Sequence, residues 1–257
     1  MKTNKSKRDS RQHHRSTVFD LLSCGLTRIG LNLLCVLLFS LVVTAPVAAN
    51  EDLMKLGGEA YERGDYAAAV RIFAEASVRL TAELGERHPS TLRSGNNLAK
   101  SLIDTGRPDE ALPLIQRVVA LRTEVLGPRS PDTMESIDLL AWALCHSGRL
   151  AECTTQSERV LALRMEVQGE DHKETLDAMN NLALAYYLAG RFSEQIELGE
   201  KALQKQIVLL GERQIVTIDT MSTLAWGYWS MGRFGEHLRL AERVLQLCSE
   251  LFGESNP

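Results

Sequence analysis

The feature that most constrains this chain is a self-similarity that returns every 42 residues without a slip. A glycine stands at 64, 106, 148, 190 and 232, followed by Asp65, Arg107, Arg149, Arg191 and Arg233. A second glycine stands at 85, 127, 169, 211 and 253. Thr91, Thr133, Thr175 and Thr217 keep the same step, as do Ala99, Ala141, Ala183 and Ala225. Four landmarks held in phase require one structural unit repeated about five times. Between the glycines the apolar residues recur at helical spacing, most plainly over Asn180–Leu203. Each unit is therefore a helix, a tight turn at the first glycine, and a second helix packed back on the first. The pattern predicts hairpins over 51–63 with 66–84, 90–104 with 108–126, 132–147 with 150–167, 174–189 with 192–210, and 216–231 with 234–252. The threonines are suited to start the next hairpin. One such hairpin buries too little to stand alone, so stability must come from stacking.

Charge narrows the partners. Of the 29 Lys/Arg and 33 Asp/Glu, seven and two lie in residues 1–49, leaving 22 and 31 and a net charge of about −9 for the repeats. A surface of that sign disfavours nucleic acid. Pro89, Pro108 and Pro131 fall in links or turns, whereas Pro113 lies inside a helical pattern, near enough to its start to be tolerated or to delay it.

These residues resemble the tetratricopeptide repeats, in the 42-residue form found in kinesin light chains and many bacterial repeat proteins. The family pattern stands here as Thr175, Asn180-Asn181-Leu182-Ala183, Tyr186, Gly190-Arg191 and Phe192, and its link between repeats as Leu84-Gly85-Glu86-Arg87-His88-Pro89-Ser90-Thr91. The resemblance covers residues 50–257. It implies an all-α fold, a right-handed α-solenoid of about five helix-turn-helix repeats. Cys153, Gln195 and His237 depart from it, standing where the family prefers the small alanine seen at Ala69 and Ala111. That puts the packing of the last three hairpins in question.

Ahead of the array, residues 1–28 carry seven Lys/Arg against Asp9 and Asp20 and form a basic, disordered head. Residues 29–43 are almost wholly apolar, and Val47 and Ala49 then stand as small residues before Asn50. Residues 29–49 accordingly read as the core of a secretory signal, with an uncleaved membrane anchor as the alternative. Either places the repeats outside the cytoplasm, exported or tethered, because the positive head stays inside. No Arg-Arg pair marks twin-arginine export, and neither Cys24 nor Cys35 has the surroundings of a lipidation site. At the other end Pro257 falls in phase with Pro89 and Pro131. The expectation there is a truncated chain whose uncapped last helix offers an apolar face for self-association.

No phosphate loop, zinc-binding His pair, nucleophile elbow or Cys-x-x-Cys pair occurs, so no cofactor and no metal is expected. His88 and His172 belong to the links, where they shape the turn. Cys145 and Cys153 mirror one another about Gly148, and a disulfide is conceivable in an oxidising compartment. Packed helices ordinarily hold their backbones farther apart than the bond allows, so the pair is expected to stay open. The arginines after the turn glycines either donate to the carbonyls of the preceding helix end or stand solvated.

What remains is a binding surface. The resemblance implies that the first helix of each hairpin lines a concave face. The positions it assigns to the groove are Arg93, Asn96 and Lys100, then Asp138, Trp142 and Cys145, then Asn180, Leu184 and Tyr187, and finally Ser222, Trp226 and Trp229. Trp and Tyr there are anchors for a peptide or protein segment, unless Trp142 and Trp229 pack between hairpins. Asn96 and Asn180 are placed to hydrogen-bond a peptide backbone. The expected function is a non-catalytic scaffold for a protein or peptide ligand. Its alternative is the docking or regulatory part of a larger enzyme or signalling protein. An enzyme in its own right lacks a polar constellation to work with.

Overall fold

The computed structural model describes residues 50–253, and every described element is helical. The first helix, α1, covers 50–62. After it come α2 (Tyr66–Leu84), α3 (Pro89–Asp104), α4 (Pro108–Leu126), α5 (Pro131–His146), α6 (Leu150–Gln168), α7 (Lys173–Leu188), α8 (Phe192–Leu209), α9 (Ile215–Ser230) and α10 (Phe234–Phe252). Helices pair in order into five hairpins. Each helix packs on the next, and the first helices of successive hairpins (α3 with α5, α5 with α7, α7 with α9) also approach one another. First helices therefore line the inner, concave side of a solenoid. The basic head, the export or anchor segment and Pro257 lie outside the described residues. Among the described residues no helix is long and apolar enough to cross a membrane.

Backbone requirements set the hairpin ends. At Gly148 φ is +76°, a left-handed conformation that costs an L side chain about 1–2 kcal/mol. There the N–H of Gly148 donates to Cys145 O and that of Arg149 to Leu144 O, so two orphan carbonyls at the end of α5 are satisfied. The same backbone bonds recur at Arg107, Arg191 and Arg233. Their side chains do something neither expectation named. Each guanidinium turns to the carboxylate three residues on: Arg107 to Glu110, Arg149 to Glu152, Arg191 to Glu194 and Arg233 to Glu236.

The links start the next helix one residue earlier than the pattern predicts. His88 and His172, in extended backbone, each accept a backbone N–H at Nδ1, from Ser90 and Glu174 respectively, and so cap α3 and α7. The threonines thereby become the third helical residue, and all four are buried. Pro113 is tolerated inside α4, on an exposed surface.

A core of Ala99, Leu102, Ile115, Val118, Met134, Ile137 and Leu144 runs through the second and third hairpins, and smaller clusters continue it on either side. Where the small alanine is lost, the structure compensates. Gln195 is fully buried and donates from Nε2 to Thr223 O of α9 at 3.0 Å. Facing it is Gly227, where a Cβ would lie 1.7 Å from Gln195 Oε1. The corresponding residues of earlier hairpins are Ser101, Ala143 and Ala185. His237 Nδ1 lies 2.9 Å from Ala225 O. On α10, Leu238 and Leu245 are exposed, whereas Leu112, Val119 and Leu161, at the same steps of earlier second helices, are buried.

A double-mutant cycle tests the compensation. Gly→Ala inside a helix ordinarily stabilises by roughly 0.5–1 kcal/mol. Gly227→Ala is instead expected to destabilise by about 1–3 kcal/mol through overpacking. Adding Gln195→Ala should recover that loss in urea unfolding, and additive single effects would refute the contact.

Candidate functional site

On the concave side the second to fourth hairpins enclose a cavity of about 330 Å³. Its polar lining comes from Asn96, Lys100 and Asp104 of α3, Glu135 and Asp138 of α5, Ser157 of α6 and Asn181 of α7. Leu139, Ala141, Trp142 and Leu184 supply apolar wall, together with Cys145 and Cys153. Of the sequence-derived groove residues the cavity thus brings together Asn96, Lys100, Asp138, Trp142, Cys145 and Leu184. Arg93, Asn180, Tyr187, Ser222, Trp226 and Trp229 share the first-helix register but do not line it. Sequence reasoning missed Ser157 and Glu135. Glu135 was recoverable, because it stands 42 residues after Arg93.

Two buried arginines organise the polar floor. Arg122 donates from Nη1 to Asp132 O at 2.6 Å and Ser136 Oγ at 2.7 Å, with Glu135 at 3.3 Å. Ser136 in turn donates to Asn96 Oδ1 at 2.8 Å. One repeat later Arg164 pairs with Asp138 and donates from Nη1 to Glu174 O at 2.9 Å. Asn96 is 2% exposed and Ser157 3%. Burial pushes the Asp138 carboxyl up to about 6, against the opposing pull of Arg164, and nearby Asp177 and Glu174 raise it further. Burial likewise raises Asp177 and Asp219. Lys100 lies 4.5 Å above the Tyr61 ring, and Tyr61 donates its hydroxyl to Asp104.

Tryptophans on this side are not core. Trp142 is 38% exposed, Trp226 54% and Trp229 53%. Trp142 stacks on His146 at 4.1 Å between centroids. Farther along, Trp229 meets Phe234 at 5.0 Å and His237 at 5.1 Å, and Tyr187 meets Phe192 at 5.7 Å.

The expectation of open cysteines is overturned. Cys145 and Cys153 form a disulfide with Cα atoms 5.2 Å apart. Both residues lie within a turn of the hairpin bend, where the helices converge, and Cys153 takes the small-residue position at which they come nearest. The interaxial distance of packed helices does not apply so near a turn.

Models of the family described as tetratricopeptide repeat match residues 139–205 and, separately, 53–90, 91–132 and 217–257. No curated protein matches the chain. Among solved structures, a kinesin light chain of Podosopora anserina with nearly identical TPR-like repeats is 26% identical, with a TM-score of 0.68, covering 78% of this chain and 94% of that one. BtubC (BKLC) from P. vanneervenii is 20% identical at TM-score 0.67, covering 80% and 83%. A Rap protein complexed with Competence and Sporulation Factor is 11% identical at TM-score 0.63, covering 76% and 52%.

Two measurements test this geometry. Loop-closure entropy gives the disulfide about 2–3 kcal/mol. Reduction, or Cys145→Ser with Cys153→Ser, should lower the urea midpoint accordingly, and differential alkylation should find the two thiols protected beforehand. Asp138 has an ordinary value of 3.8 and titrates at about 6 when folded. Its contribution to stability is therefore full below the lower value and lost as pH rises through the upper one. Relative to wild type, Asp138→Asn should gain about 2–3 kcal/mol across that window. A pH-independent difference in unfolding free energy would contradict the buried carboxylate.

Proposed function

Because the chain belongs to the tetratricopeptide repeat family, whose members are generally non-catalytic scaffolds, we propose that it binds a segment of a partner protein in its concave groove and does no chemistry of its own. One observation carries the reading. The first helices present half-exposed Trp142, Trp226 and Trp229, the first of them in the wall of a cavity that Asn96, Lys100, Glu135 and Asp138 also line. Exposed aromatics in a concave site are what a binding surface uses as anchors. Amide and hydroxyl groups lining such a site can hydrogen-bond a ligand's backbone. The Rap protein, similar in fold, is solved in complex with Competence and Sporulation Factor, which supports the mode by analogy of fold alone.

We place this work outside the cytoplasm, exported or tethered by the N-terminal segment. The support is the apolar run at 29–43 behind a basic head, and the Cys145–Cys153 bond, of a kind that persists in oxidising compartments.

The full chain, immobilised beside its Trp226→Ala/Trp229→Ala variant, tests the reading on extract from the source cells. A protein retained by the wild type, lost from the folded variant and cross-linked to first-helix residues is the expected result. Equal retention by both baits, or cross-links confined to second helices, would remove the groove from the function.

A further inference from the structure

We infer that the groove takes a basic, amphipathic protein segment, with its cationic side against Glu135, Asp177 and Asp219 and its apolar side against Trp142, Trp226 and Trp229. The inference rests on the groove reading above and adds the chemistry of the occupant.

The three carboxylates occupy one step of the repeat on α5, α7 and α9; the same step carries Glu51 on α1, and its one cation is Arg93 on α3. Glu135 shares Arg122 with a carbonyl and a hydroxyl. Asp177 Oδ1 is sealed from solvent without a hydrogen bond, and Asp219 has no ion-pair partner among the described residues. A second row, seven residues along each first helix, reads Lys100, Trp142, Leu184, Trp226. At α5 the two rows meet in one space, since Glu135 lines the cavity together with Trp142 and, from α7, Leu184. Asn96 lies between the rows in sequence and lines that cavity, its Oδ1 accepting from Ser136.

Charge selects the occupant's sign. The repeats carry about −9; Arg93 and Lys100 sit on α3, Arg122 and Arg164 are already engaged by Glu135, Asp138 and Glu174, and Lys173 and Arg164 only partly offset the burial of Asp177. Along α5, α7 and α9 an acidic ligand would face carboxylates that burial already holds above their usual range. A guanidinium or ammonium relieves that penalty, and guanidinium also stacks on tryptophan. In an extended segment alternate side chains point to opposite sides, so a cation alternating with an aliphatic residue addresses both rows at once.

Fluorescein-labelled decapeptides of alternating Arg-Leu, Glu-Leu and Arg-Ser, titrated with the full chain by fluorescence anisotropy, test this. Arg-Leu should bind about tenfold or more tightly than either of the others, and less tightly as salt rises. Asp177→Asn with Asp219→Asn, which keeps side-chain shape, should weaken Arg-Leu about tenfold with an unchanged circular dichroism spectrum. Trp226→Ala/Trp229→Ala should weaken it as well. Glu-Leu binding that is lost in the tryptophan variant would overturn the basic occupant and leave the groove reading standing. Arg-Leu binding indifferent to both variants, or no binding of Arg-Leu at all, would overturn the inference outright.

Discussion

How closely each second helix approaches the first helices beside it is set by one side chain per hairpin, and the rest of the array inherits that spacing. At Ala69 and Ala111 the residue is a methyl group with no exposure. Cys153 reaches back to α5 through a covalent bond, Gln195 reaches forward to α9 through its amide, and His237 reaches back to α9 through its ring. Protein interiors are packed as densely as organic crystals, so a bulky amide cannot replace a methyl group without a matching loss nearby. Gly227 is that loss. The position lies between two first helices, and three different chemistries preserve the approach that alanine makes alone. The concave face keeps its register through all five hairpins for that reason.

Legibility in the sequence followed the kind of constraint. The hairpins were legible because Gly148 and its counterparts answer a local backbone requirement that no distant contact can override. The helix starts were legible to within a residue; the same one-residue shift occurs at α3 and α7, capped by His88 and His172, and at α5 and α9, which have no side-chain cap. The disulfide was not legible, because its distance depends on how far from the bend the two residues lie in three dimensions. In the groove, register alone put Asn96 and Asn180 in one class. The structure separates them: Asn96 Oδ1 accepts from Ser136, whereas Asn180 Oδ1 is sealed without a partner. That difference lies in the neighbours: the residue that stands to Asn180 as Ser136 stands to Asn96 is Thr220, whose hydroxyl donates instead to Val216 O. The carboxylate row was obscured because Arg93 on α3 interrupts it between Glu51 and Glu135.

The polar floor is not an economical way to hold hairpins together. Buried ion pairs commonly give little net stability, and apolar side chains of like volume serve as well or better. This chain shows as much, since the counterpart of Arg122 and Arg164 in the first hairpin is Leu80, fully packed. What the arginines add is order at two places at once. Each takes a carbonyl in the first turn of the next hairpin, Asp132 O or Glu174 O, while its remaining donors hold Ser136 or Asp138 on the groove side. The link between hairpins and the groove chemistry are thereby set by one residue.

That coupling divides the groove along its length. Arg122 and Arg164 give way at the same step to Gln206 and Cys248, and the charged network stops with them. Beyond it the concave side is built from Tyr187, Trp226, Trp229 and Phe234, in edge and tilted contacts that leave the tryptophans half-exposed. The aliphatic and disulfide wall at Trp142 belongs to both halves. A segment lying along the array meets hydrogen-bonding and charged groups at α3 to α7 and aromatic faces at α7 to α10. Polar groups discriminate by the cost of leaving partners unmatched, whereas aromatic faces contribute burial with little directional demand. Under the proposed function, specificity would therefore come from the middle hairpins and affinity from the last two, although one repeat unit builds both.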